Sequence, residues 1–155
     1  RFPDIAKYQM SCFADEKEAK NRRWCGVCSK CARMYIFMMA LGINPKKVGF
    51  KENLLSIGKK SLYAVFSDKD HVKDSAFDQS AAARDEQLLA FRLAYRRNVK
   101  GELMDEYKKL YASEGKEREE NLRQKYFGIH TTTTLTYELK KPLLRIYEEE
   151  LRGLR

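Results

Sequence analysis

The sequence predicts a mainly α-helical, multi-helix domain with a four-cysteine metal loop near the N-terminus and at most one or two short strands. Three observations point there. Apolar residues recur at three- and four-residue spacings over several separate stretches, the period of helices that bury one face. Gly, Asn and Pro fall between those stretches, where helices start and stop. All four cysteines lie between Cys12 and Cys31, spaced C-x12-C-x2-C-x2-C.

Taken in order, residues 2–8 read as a short helix with Pro3 in its first turn and Ile5 and Tyr8 on one face. Cys12 falls on a strand end or loop. Residues 15–23 are almost wholly charged or amide-bearing and read as a solvated loop or turn. Trp24 is expected to lay an apolar plate over the cysteine loop. Residues 28–41 form a helix that is apolar nearly all round, hence the central core helix, and Gly42 ends it. Asn44-Pro45 is a cap and first position for the next turn, weakened by Gly49. Leu54, Leu55 and Ile57 suggest a short helix ending at Gly58, and residues 62–66 fit helix or strand equally.

Residues 67–75 are polar and read as a loop. Its Asp68, Asp70, His71 and Asp74 are read as solvated groups rather than a second metal site. Asp78 is expected to cap a long helix over residues 79–98, with Ala81, Leu88, Phe91 and Tyr95 on one stripe and Asn98 and Gly101 closing it. Leu103, Met104, Tyr107, Leu110 and Tyr111 mark another helix. Residues 114–125 are charged and read as an exposed helix stopped by Gly128. Residues 129–137 are β-prone, one strand or an extended connection, and the lone His130 is read as structural. The last helix is expected from near Pro142 to Leu151, with Leu144, Tyr147, Leu151 and Leu154 packing on the body or on a partner helix. The organisation is a metal-binding segment and core helix over residues 1–45 and a helical body over 46–155, packed as one domain.

A C-x2-C step turns two thiolates toward one ion, and Gly26 gives the turn backbone freedom. Cys28 and Cys31 share a face if that segment is already helical. Cys12 would complete a tetrahedral all-thiolate shell around zinc, the closed kind of site that holds structure rather than a reaction. Two alternatives stay open: a 4Fe-4S cluster, which also uses C-x2-C-x2-C with a remote fourth cysteine, and disulfides. The absence of a secretory signal favours metal over bridges and a cytoplasmic location.

The 155 residues carry a net charge of +9. Residues 1–60 hold 13 Lys/Arg against 5 Asp/Glu, so the excess belongs to the cysteine segment and the stretch directly after it. Lys20, Arg22, Arg23, Lys30 and Arg33 are therefore candidate contacts for a phosphate-bearing partner, nucleic acid included. Their field also favours the thiolates. No run of about 20 apolar residues is present, so no membrane partner is expected. The chain begins at Arg1, inside what reads as an element, which suggests the C-terminal part of a longer polypeptide or a trimmed chain.

Ser11-Cys12 followed by Trp24-Cys25-Gly26-Val27-Cys28-Ser29-Lys30-Cys31 and Arg33 is similar to the zinc motif of 7-cyano-7-deazaguanine synthases, which are PP-loop ATP pyrophosphatases. With its apolar helix and Gly42, it resembles more closely the neighbouring group that includes UDP-N-acetylmuramoyl-L-alanyl-L-glutamate epimerases. The resemblance covers about residues 1–45. It implies zinc on Cys12, Cys25, Cys28 and Cys31. The family's Ser-Gly-Gly-x-Asp-Ser phosphate loop has no match in this chain. By the resemblance, ATP would bind in an upstream domain, and a small-molecule or nucleotide-linked substrate would belong to the full-length enzyme.

No nucleophile–base pair or telling carboxylate dyad stands out, so no catalytic residue is assigned and the chain alone is expected to be inactive. Three functions stand as expectations: the zinc-stabilised C-terminal domain of an ATP-dependent adenylating enzyme, a zinc-stabilised basic module binding RNA or DNA, or a helical body that forms a homodimer through its last helix.

Overall fold

The computed structural model describes residues 23–67, 80–130 and 133–153. Among them are five α-helices and no strand: α1 (Ser29–Leu41), α2 (Ala81–Arg96), α3 (Glu102–Leu110), α4 (Ala112–Phe127) and α5 (Tyr137–Leu151). Three 3₁₀ turns, Pro45–Val48, Ile57–Leu62 and Ala64–Phe66, link α1 to the later helices. The expected helix at residues 2–8, Cys12, most of the polar run at 15–23, and the acidic loop with Asp68, Asp70, His71 and Asp74 lie outside the described residues.

Helix α1 starts and stops on local signals. Cys28 is its N-cap in extended conformation, and the Cys28 sulfur accepts the Cys31 N–H. At the other end Gly42 is left-handed, at φ 76°. Its N–H bonds to the Met39 carbonyl at 3.2 Å and the Ile43 N–H to the Met38 carbonyl at 2.8 Å, the paired bonds of a Schellman stop. Arg97 then donates from Nε to the Ala40 carbonyl at 2.8 Å, placing a cation at the negative end of the helix.

The central helix is α2 rather than α1. Helix α2 packs against α1, α3, α4 and the Ala64–Phe66 turn, and Ala83, Leu88, Leu89, Phe91, Leu93 and Ala94 are all buried on it. Helix α1 keeps Leu41 exposed and Met34, Phe37 and Met39 only partly covered. Mean apolarity located α1 well but overstated its burial, because burial depends on how many neighbours an element meets. Ser80 caps α2, its hydroxyl accepting the Ala83 N–H at 3.2 Å, whereas the expected cap Asp78 lies outside the described residues. Ala81, expected on the buried stripe, is exposed. The helix ends at Arg96, and Asn98 takes a left-handed conformation at φ 62°.

Three further expectations are corrected. The short helix over Leu54–Ile57 is instead a turn with buried Leu54 and Leu55, followed by a 3₁₀ turn running through Gly58 to Leu62. Among the described residues, the β-prone stretch after Phe127 forms no strand, in keeping with the alternative of a connection, whereas the last helix, expected from near Pro142, starts at Tyr137, so Pro142 lies inside α5. A run of threonines supplies strand propensity but no partner strand, and propensity without pairing does not make a sheet. Helix α4 is not merely an exposed charged helix: Gly115 and Leu122 are buried and its charges are directed at α2.

That α2–α4 contact is an ionic seam. Arg84 forks onto Glu114 with two bonds of 2.9 Å, and Arg118 reaches Asp85 at 2.7 Å and Glu114 at 3.0 Å. Glu119 accepts from Arg92 at 2.7 Å, Arg96 at 2.6 Å and Arg123 at 2.9 Å. Phe91 of α2 meets the rings of Tyr63, Phe66 and Tyr107 at centroid distances of 5.3–5.5 Å. Gln87, fully buried, accepts the Val65 N–H at 3.3 Å and so ties α2 to the Ala64–Phe66 turn.

Candidate metal centre

The sulfurs of Cys25, Cys28 and Cys31 converge at the N-terminus of α1. All three lie within 4.8 Å of one another, and Cys25 Sγ is 3.7 Å from Cys31 Sγ. A disulfide holds its sulfurs about 2.05 Å apart, so these two are not bridged to each other. A tetrahedral ion with metal–sulfur bonds of about 2.3 Å spaces its ligands about 3.8 Å apart. The three-cysteine group therefore has the spacing to share one metal ion. Cys25 and Cys31 are buried and Cys28 is half-buried.

Local backbone builds this arrangement. Gly26 adopts φ 73°, a left-handed turn that L-residues with a Cβ adopt at a cost. The turn aims the Val27 N–H at Cys25 Sγ, 3.4 Å away. Helix start then aims the Cys31 N–H at Cys28 Sγ, 3.5 Å away. Sulfurs that accept amide hydrogens are oriented as metal ligands before an ion arrives. Starting the helix at Ser29 puts Cys31 on its inner face, where it is fully buried.

Two supports were not singled out in the sequence. Lys59 donates from Nζ to the Gly26 carbonyl at 2.9 Å and to Glu52 at 3.3 Å, so a distant turn clamps the cysteine loop. Phe50 stacks on Trp24 with ring centroids 4.7 Å apart, and Tyr35 meets Phe50 edge-on at 5.3 Å. Trp24 Nε1 donates to the Val48 carbonyl at 3.0 Å. Trp24 thus anchors the loop to the Pro45–Val48 turn. A lysine some thirty residues away carries no sequence signal for this task, since only folding brings it to Gly26.

Of the remaining predicted site residues, Arg23, Lys30 and Arg33 are described, and each meets different neighbours. Cys12, Lys20 and Arg22 lie outside the described residues. Arg33 is committed to Glu86 through both Nε and Nη2 and lies 5.3 Å over the Phe37 ring. Arg23 packs its chain over Gly49 beside Trp24. Lys30 occupies the first turn of α1 and is half-buried. The Arg33–Glu86 pair edges an apolar cleft of about 240 Å³ lined also by Phe37, Leu41, Leu89, Leu93 and Phe127, and none of the cysteines lines it. No helix among the described residues is long and apolar enough to cross a membrane.

No family model matches this chain, and neither a curated protein nor a solved structure matches it.

Proposed function

We propose that Cys25, Cys28 and Cys31, joined by Cys12, hold one structural zinc ion, and that this chain is the zinc-stabilised C-terminal domain of an ATP-dependent enzyme of the PP-loop type. The observation that carries the metal reading is the 3.7 Å separation of the Cys25 and Cys31 sulfurs. It suits ligands of a single ion. A 4Fe-4S cluster distributes its cysteines over separate irons and needs them wider apart. With four thiolates the shell is closed, leaving no position for water or substrate, so the ion's work is to join the cysteine loop to α1.

The enzyme reading is supported by the motif from Trp24 to Cys31 and by the helix and Gly42 that come after it. In such an enzyme ATP and a small or nucleotide-linked substrate would sit on a phosphate-loop domain, and the present residues would brace it. The nucleic-acid alternative is weakened by Arg33, whose guanidinium is taken by Glu86.

The test is elemental analysis of protein purified without added metal, with an absorption spectrum of the same sample. One zinc per chain in a colourless solution is expected. Iron with visible thiolate absorption would overturn the zinc reading and make the chain a redox module.

A further inference from the structure

Helix α5 is amphipathic, yet none of its residues is buried. Tyr137, Leu139 and Tyr147 are 93%, 54% and 46% exposed. At about 3.6 residues per turn, its apolar side chains cover one half of the helix, and Arg145 stands opposite the middle of that half. A face of this kind needs a cover, and the sequence of the helix describes one.

The helix reads as a palindrome about Arg145 with its charges inverted. Counting equal steps outward, Leu144 mirrors Ile146, Leu143 mirrors Tyr147 and Leu139 mirrors Leu151. Lysine mirrors glutamate twice, Lys140 with Glu150 and Lys141 with Glu149, and Glu138 mirrors Arg152. An antiparallel pair related by a two-fold axis brings each position against its mirror position in the other copy, since such an interface uses one patch on both partners. Apolar residues then meet apolar residues, and of the charged steps only Lys140 with Glu150 falls on the pairing face, the others lying on the Arg145 side of the helix. Lys140 and Glu150 matter most, because both fall within the apolar half of the helix.

We infer that α5 is a self-association element: two copies of this chain pair through antiparallel α5 helices centred on Arg145, with Lys140 of each chain opposite Glu150 of the other. The parallel arrangement is rejected by the same residues, since it sets Lys140 against Lys140 and Glu150 against Glu150. Arg145 points away from the pairing face and keeps its bond to Glu149, 3.1 Å within the same helix. The inference does not depend on the metal or on the enzyme reading.

Sedimentation of the full chain over a range of concentrations tests it, with circular dichroism to verify that each variant keeps its helices. The wild-type chain is expected to dimerise reversibly. Lys140→Glu sets like charges against each other twice and should weaken the dimer about tenfold, from two exposed pairs of modest individual strength. Glu150→Lys should act alike, and the double variant Lys140→Glu/Glu150→Lys should recover wild-type association. A wild-type chain that stays monomeric at high concentration overturns the proposal. So does a dimer indifferent to Lys140→Glu, which would place the interface elsewhere or make it parallel, and so does failure of the double exchange to rescue.

Discussion

The hydroxyl of Tyr107 on α3 occupies the space where a side chain on Gly115 of α4 would begin. Tyr107 is fully buried, and among the described residues its hydroxyl has no hydrogen-bond partner. The ring stacks on Phe91 at 5.5 Å, so the tyrosine cannot simply move aside. The close approach of α4 to α2 and α3 therefore depends on a glycine in the first turn of α4, although glycine has a lower helix propensity than alanine.

Gly115→Ala should accordingly destabilise the chain by about 1–3 kcal/mol, the range for overpacked cores, despite alanine's higher helix propensity. Tyr107→Phe removes the unpartnered hydroxyl and should be neutral or slightly stabilising. Urea titrations of the two single variants and the double variant form a cycle. The double variant is expected to lose less than the sum, because the phenylalanine leaves room for the new methyl group. Strict additivity would mean that the two residues do not share this space.

Glu119 gives the α2–α4 seam a pH dependence. Burial raises its carboxyl, but hydrogen bonds from Arg92, Arg96 and Arg123 outweigh that and hold it at about 2, against an ordinary 4.5. A carboxyl lowered by folding contributes stability that is present above its unfolded value and is lost as pH falls toward the folded one. Urea midpoints should therefore be flat near neutrality and drop between about pH 4.5 and pH 2. Glu119→Gln should lower the midpoint at pH 6 and flatten the acid drop. An unchanged acid slope in that variant would place the titrating group elsewhere.

On the proposed zinc site, removing the ion should cost the fold more than its edge. Structural zinc sites contribute on the order of 10 kcal/mol in small peptides, part of which is folding energy. Treatment with a strong chelator is expected to lower the melting temperature by roughly 10 °C or more, the shift that several kcal/mol produces in a chain of this size. Added zinc should restore it. Cys31→Ser should melt like the chelated wild type and respond to neither treatment. A melting temperature indifferent to chelation would mean that the three sulfurs converge without an ion.

The clamp on the cysteine loop is separately testable. Lys59→Met keeps most of the aliphatic stem but removes the donor to the Gly26 carbonyl. Gly26→Ala puts a Cβ on a backbone held at φ 73°, at about 1–2 kcal/mol. Both should release the proposed zinc ion faster to a chromogenic chelator while leaving the helical spectrum intact, with Gly26→Ala the faster. Release at the wild-type rate from Lys59→Met would remove the lysine from the site.

The helical class, the span of α1 and the local geometry of the cysteine loop were all legible in the order of the residues. These rest on short-range physics: Cys28 and Gly42 terminate α1 through bonds within a few residues, and a C-G-V-C turn converges its own thiols. Long-range packing, by contrast, made α2 the centre, turned the charged α4 into a packed helix and set Lys59 to guard Gly26. Glu119 and Arg92 stand 27 positions apart, and Lys59 and Gly26 stand 33 apart. A charge in a sequence looks the same whether it faces water or an opposite charge across a seam. Only the chain's folding onto itself, driven by burial around Leu88 and Phe91, selects between the two.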